Sequence, residues 1–192
     1  MNIMNIIYIH GFRSSGDSSK AALLREKYPH VNVISPTFSP NPQEVVDHLQ
    51  SILQGLEGKT LLLGTSLGGF YALYFACTRG YTCCAINPAW QPQVTLKRKI
   101  GTHKRYDSED IYDYKPEYIG TLEEMAKDIS ASEHVKSRIH FFLSTDDEEL
   151  SFDGMESVFP VYQTKKWFDH SGHRFSRFPE IVEDIMSIIN QD

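Results

Sequence analysis

The sequence predicts an α/β fold: a compact, mainly parallel sheet of about six strands flanked by helices. Three observations carry this. Six short runs rich in β-branched residues recur along the chain, and several are apolar at consecutive positions, as strands covered on both faces must be. Between them lie stretches whose apolar residues fall three and four apart. The two patterns alternate, which implies parallel strands joined by helical crossovers. A chain of 192 residues, 41% of them hydrophobic and 12% aromatic, holds the core material of one domain.

In chain order, strands are expected at residues 6–10 (IIYIH), 31–35 (VNVIS), 60–63 (TLLL), 82–87 (TCCAIN), 138–144 (RIHFFLS) and 164–168 (TKKWF). After the second strand, Pro42 suits a helix start, and Val45, Val46, Leu49, Ile52, Leu53 and Leu56 then share one face. Segment 67–78 is small or apolar nearly all round, as a helix packed on a sheet should be, and its Phe70, Tyr71, Tyr74 and Phe75 are expected in the core. Ile181, Ile185, Ile188 and Ile189 repeat the helical spacing after Pro179. Only the segment from about 91 to 134 breaks the rhythm. A basic cluster (Lys97, Arg98, Lys99, His103, Lys104, Arg105) gives way there to an acidic, tyrosine-rich stretch, YDSEDIYDYKPEY. A long segment set between two sheet strands reads either as a lid or substrate wall, or as a solvated excursion.

Composition narrows the function classes. The net charge of −6 opposes nucleic-acid binding, because phosphate contacts need lysine and arginine in excess. No apolar run approaches the roughly 18–20 residues that span a bilayer, and MNIMNIIYIHGF lacks the cationic start and small-residue cleavage site of a signal peptide. Three cysteines make no disulfide framework; Cys77, Cys83 and Cys84 are expected as small buried apolar groups. A cytoplasmic location is therefore expected.

The most informative residues are Gly64-Thr65-Ser66-Leu67-Gly68-Gly69, a G-x-S-x-G pattern between a buried strand and a helix. In that setting the serine occupies a sharp turn that lifts its hydroxyl clear of the sheet, and the glycines let neighbouring backbones approach. The helix N-terminus then offers N–H groups to a developing oxyanion. A serine hydroxyl needs a base. His30, His48, His134 and His140 read as surface or structural groups, and His103 belongs to the basic cluster. His170 and His173 lie in DHSGHRF after the last strand, where a loop can reach the sheet's C-terminal edge, and His173 is favoured. The orienting acid should leave an earlier strand end: Asp146-Asp147-Glu148-Glu149 follows RIHFFLST, with Asp146 and Asp147 both open and Asp153 more distant. The same acids could instead open a short helix, with Thr145 and Glu148 as a capping box. His10-Gly11-Phe12 ends the first strand, where the backbone N–H of Phe12 would join that of Leu67 as an oxyanion donor. The His10 imidazole is expected to brace that loop. His10 and Trp90 are candidates to line the substrate site.

Taken together, IYIHGFRSS with Ser19-Lys20-Ala21, GTSLGGFY, Asn87-Pro88-Ala89, TDDE-x-L and the G-H-x-F ending resemble the YqiA-like esterases of the α/β-hydrolase superfamily over most of the chain. The resemblance implies an α/β-hydrolase fold and aligns the family's nucleophile with Ser66, its base with His173 and its acid with Asp147. The related YcfP-like proteins can carry glycine at the nucleophile; Ser66 is present here. The implied activity is hydrolysis of a small-molecule carboxylic ester or thioester, acyl-CoA-like, without cofactor or metal. The basic cluster would be placed to grip an anionic carrier. The competing expectation is a binding or scaffold protein on the same fold. A metal-assisted hydrolase using His170 and His173 has poor ligand spacing.

Overall fold

The structure, a computed structural model, describes residues 3–132 and 138–191. His134 and the last two positions of the expected 91–134 segment lie outside them. All six expected strands form, as β1 (Met4–Ile9), β2 (Asn32–Ile34), β3 (Lys59–Thr65), β4 (Thr82–Ile86), β7 (Ile139–Ser144) and β8 (Thr164–Phe168). Every pairing among them is parallel, in the order β2-β1-β3-β4-β7-β8.

The consecutive apolar positions sort by parity onto two faces, because successive strand side chains point oppositely. Ile7, Ile9, Leu62, Cys83, Ala85, Phe141 and Leu143 face one layer of helices; Ile6, Tyr8, Leu61, Leu63, Cys84, Ile86 and Phe142 face the other. The first layer holds α2 (Pro42–Gln54), α3 (Leu67–Arg79) and α5 (Pro116–Ala131). The second holds α1 (Ser19–Lys27) and α7 (Phe178–Gln191), whose Ile181, Ile185 and Ile189 are buried. Phe70, Tyr71 and Phe75 are buried in the first core and Tyr74 packs at its edge. The three cysteines are fully buried, and burial drives the Cys83 and Cys84 thiols up, far from thiolate chemistry.

The expected 91–134 segment divides in two. Its second half is α5, whose Leu122, Met125 and Ile129 complete the first core as the covering helix of the β4–β7 crossover. The first half is the true departure: a short helix α4 (Pro92–Thr95), a turn of 3₁₀ helix at Lys97–Lys99, and an antiparallel hairpin of β5 (Gly101–Lys104) and β6 (Ile111–Tyr114). The sequence offered no strand there because both strands are largely exposed and mostly polar. A last short helix, α6 (Met155–Val158), precedes β8.

The chain runs from β1 outward to β2 and returns to β3 on the other side of β1. Crossovers therefore leave the sheet in opposite directions beyond the C-terminal ends of β1 and β3, and a crevice opens there. Among the described residues, no helix is long and apolar enough to cross a membrane.

Candidate active site

Ser66 lies at the mouth of that crevice, between the last residue of β3 and the first of α3. Its backbone is held at φ 55°, ψ −121°, a conformation that costs a non-glycine residue about 1–3 kcal/mol. Three hydrogen bonds hold it there. The Ser66 N–H donates to the Ile86 carbonyl at 3.0 Å, and the Ser66 carbonyl accepts from Phe70 N at 3.2 Å and Ala89 N at 3.0 Å. The flanking glycines are required by crowding. A Cβ on Gly64 would lie 2.1 Å from the Gly68 carbonyl oxygen, and one on Gly68 would lie 1.9 Å from that of Ile9. Across the crevice, a Cβ on Gly11 would sit 3.2 Å from the Ser66 Cβ, so the loop after β1 passes directly against the serine.

His173 arrives from the loop between β8 and α7. Its Nε2 is 3.0 Å from Ser66 Oγ, and its Nδ1 lies 2.8 and 3.0 Å from the two carboxylate oxygens of Asp147. With Nδ1 protonated toward the carboxylate, Nε2 is left as acceptor for the serine hydroxyl, so one tautomer satisfies both contacts. The Asp147 side chain is 1% exposed and that of His173 16%. The structure thus brings Ser66, His173 and Asp147 together. His170 is exposed at φ 50°, and Asp153 accepts from the Ser151 hydroxyl instead.

The acidic run opens no helix, contrary to the capping-box expectation; it turns the chain, and Asp146, Asp147 and Glu148 take different partners. Asp147 accepts from the N–H groups of Glu149 and Leu150, each at 2.9 Å. Asp146 accepts from Ser171 N at 3.0 Å and Gly172 N at 3.1 Å, and these donors hold its carboxyl below the ordinary range. Glu148 accepts from the His173 N–H at 2.8 Å.

A further residue fixes this loop from inside the sheet. Asn87, directly after β4, adopts φ 40°, which asparagine tolerates better than most residues. Its side-chain carbonyl accepts from Ser144 N at 2.7 Å, and its amide donates to Ser144 Oγ at 2.9 Å, the Gly172 carbonyl at 2.9 Å and the His173 carbonyl at 3.2 Å. In the sequence Asn87 showed as a polar residue closing a buried strand and as part of the Asn87-Pro88-Ala89 likeness, neither of which assigns it this role.

Ser66 and His173 open onto a cleft of about 440 Å³ that Gly11, Phe12 and Leu67 also line. Leu67 is the first residue of α3, so its N–H is among those a helix leaves without an internal partner. His10 and Trp90, the two candidates to line the substrate site, are not among the residues that line this cleft. His10 is 8% exposed and turned inward: Nδ1 donates to the Gly11 carbonyl and Nε2 accepts from Phe38 N, both at 2.9 Å. Burial pushes its pKa down to about 4, so the ring braces the loop as a neutral group. Trp90 is drawn aside by donating its indole N–H to the Ser151 carbonyl at 2.9 Å.

The basic cluster is not one surface. Arg98 and Lys99 line the cleft, Lys104 pairs with Glu109 at 2.7 Å, and the His103 ring packs 5.0 Å from that of Phe12. The Arg105 side chain is 9% exposed, turned toward the loop after β1.

The family described as Uncharacterised protein family (UPF0227) matches residues 5–190. A UPF0227 protein of Yersinia enterocolitica is 28% identical over 177 residues, covering 88% of this chain and 90% of the relative. Among solved structures, mouse alpha/beta hydrolase domain-containing protein 10 superposes with a TM-score of 0.72 at 20% identity, over 97% of this chain and 90% of that one. A monoacylglycerol lipase from Paleococcus ferrophilus superposes at 0.71 with 16% identity, over 100% and 97%. The fold is that of the α/β-hydrolases.

Proposed function

We propose that this chain, which belongs to the UPF0227 family, is a serine hydrolase that cleaves carboxylic esters or thioesters through an acyl-enzyme. The observation that carries the reading is the continuous relay from Ser66 Oγ through the His173 ring to the buried carboxylate of Asp147. Several solved neighbours are named as esterases or lipases, which agrees with it.

In this mechanism Ser66 Oγ attacks the acyl carbon while His173 Nε2 takes its proton. Asp147 keeps Nδ1 protonated and stabilises the imidazolium that forms. The N–H groups of Phe12 and Leu67 receive the oxyanion of the tetrahedral intermediate, and one such donor is worth about 2.7–4 kcal/mol of barrier. Collapse expels the alcohol or thiol, which takes the proton from His173. Water, deprotonated by the same imidazole, then attacks the acyl-enzyme and releases the acid. The thioester branch draws support from Arg98 and Lys99 at the cleft. Among the described residues neither has a carboxylate within ion-pairing distance, so both are available to a phosphate-bearing leaving group.

Labelling with a fluorophosphonate, mapped by mass spectrometry on wild type, Ser66→Ala and His173→Ala, tests the reading without knowledge of the substrate. The expected result is a label on Ser66 alone that both substitutions abolish. A folded wild type that takes no label would leave a binding protein on a hydrolase fold. A matched series of butyryl esters and thioesters then separates the two bond types.

A further inference from the structure

We infer that the β5–β6 hairpin sets the position of the Phe12 N–H, so that Arg105 and Asp107 act on turnover by holding the oxyanion loop. The inference rests on the hydrolase reading and assigns the exposed hairpin a role in the chemical step.

The loop after β1 has little structure of its own. Ser14 N donates to the Gly11 carbonyl at 3.2 Å, closing a turn over residues 11–14 in which Arg13 sits at φ 64°. A side chain at that position is unfavourable, so something outside the turn has to hold it. The hairpin supplies the contacts residue by residue. Tyr106 N donates to the Arg13 carbonyl at 2.8 Å, and Arg13 Nε donates to the Lys104 carbonyl at 2.9 Å. Asp107 accepts from Ser15 N at 3.1 Å and Ser15 Oγ at 2.7 Å. Arg105 reaches deepest: one guanidinium nitrogen donates to the Ser14 carbonyl and the other to the Phe38 carbonyl at 2.8 Å. The Phe38 N–H in turn donates to His10 Nε2, so His10 and Arg105 hold the Phe38 backbone at its N–H and its carbonyl.

Phe12 itself is fixed through its ring. The rings of His103, Tyr114 and Tyr112 stand edge-on to it at 5.0, 5.1 and 6.2 Å, and all three belong to the hairpin. Backbone N–H direction follows from where the ring and the next three residues are held. Misplacing a stabilising group by about 1 Å can cost on the order of a hundredfold in rate, which makes a tied loop consequential.

A hairpin that only walls the substrate would change KM, whereas one that aims an oxyanion donor changes kcat. Steady-state hydrolysis of 4-nitrophenyl butyrate is measured for wild type, Arg105→Ala, Arg105→Lys, Asp107→Ala and Lys97→Ala, with amide hydrogen exchange over residues 11–15 in each. Arg105→Ala is expected to lower kcat on the order of tenfold to a hundredfold with KM within about twofold, and to speed exchange over 11–15. Arg105→Lys, able to reach one of the two carbonyls, restores part of both. Asp107→Ala, at an exposed residue whose loss cannot unfold the core, shifts kcat the same way by less. Lys97→Ala, in the same basic cluster but outside the cleft and the clamp, changes neither. A raised KM with kcat unchanged, or unchanged exchange over 11–15, overturns the inference. A wild type that takes no fluorophosphonate label and hydrolyses nothing overturns the hydrolase reading instead, and the exchange rates then decide the clamp alone.

Discussion

Two irregular loops converge on Ser66, and they are held in opposite ways. The loop carrying His173 is tied from within the sheet: Asn87 and Ser144, at the ends of β4 and β7, bond its carbonyls, and Asp146 and Glu148 bond its N–H groups. The loop carrying Phe12 is held chiefly from outside, by a hairpin in the β4–β7 connection, with His10 as its internal brace. The proposed base is thus positioned by strand ends that the sheet itself brings together, while the proposed oxyanion loop depends on a hairpin set in the β4–β7 connection. Substitutions near the base should therefore damage stability and catalysis together. Those in the hairpin should separate the two.

Asn87 gives the sharpest test of the internal ties. Asn87→Ala leaves Ser144 N and the His173 carbonyl without their partner and the Gly172 carbonyl with Ser144 Oγ alone, at about 1–3 kcal/mol for each group left unsatisfied. We expect the variant to lose several kcal/mol of stability by urea unfolding and roughly tenfold to a hundredfold in kcat. Asn87→Asp should be no better, since a carboxylate would face the Gly172 and His173 carbonyls where the amide donated. A stable Asn87→Ala enzyme with wild-type kcat would show that the loop holds His173 unaided and would break the comparison.

Asp146 tests the same loop from its rim, with a smaller effect. Asp146→Asn keeps the shape but weakens the bonds from Ser171 and Gly172 N–H, which are stronger to a charged acceptor. A drop of about two- to fivefold in kcat is expected, with the fluorophosphonate label retained on Ser66. Equal loss in Asp146→Asn and in a substitution of Asp147 would mean that the neighbouring acids share one role.

Much of this division was visible in the sequence, for physical reasons. The inner strands β1, β3, β4 and β7 showed because both faces of each are covered, so the apolar residues run consecutively. The elbow showed because crowding leaves only glycine at 64 and 68. Composition and spacing left Asp146 and Asp147 open; the TDDE likeness favoured Asp147, and the geometry gives that residue the His173 contact. The hairpin did not show. Its strands are short and exposed, and its anchors bond backbone carbonyls and N–H groups, which have no residue type to read. Lys104 and Arg105 look equivalent in sequence, yet one pairs with Glu109 in solvent and the other is buried against Ser14 and Phe38.

His10 supplies the mildest test, because at neutral pH it should do nothing to turnover beyond bracing the loop. Its pKa falls from an ordinary 6.5 to about 4, first because of burial and further because of Arg105, with the Gly11 carbonyl and Asp107 acting the other way. Below pH 6.5 the unfolded chain takes up a proton that the folded chain refuses until about pH 4, so acid favours unfolding across that window. The contribution to stability is whole above pH 6.5 and declines toward pH 4, by up to ~3 kcal/mol at about 1.4 kcal/mol per unit. His10→Gln, whose side-chain oxygen can still accept from Phe38 N–H, should flatten urea-unfolding stability between pH 6.5 and 4 and leave kcat at pH 7.5 within about twofold. An unchanged slope would place the acid sensitivity elsewhere. A large loss of kcat at pH 7.5 would mean the internal brace bears as much on the oxyanion loop as the hairpin does.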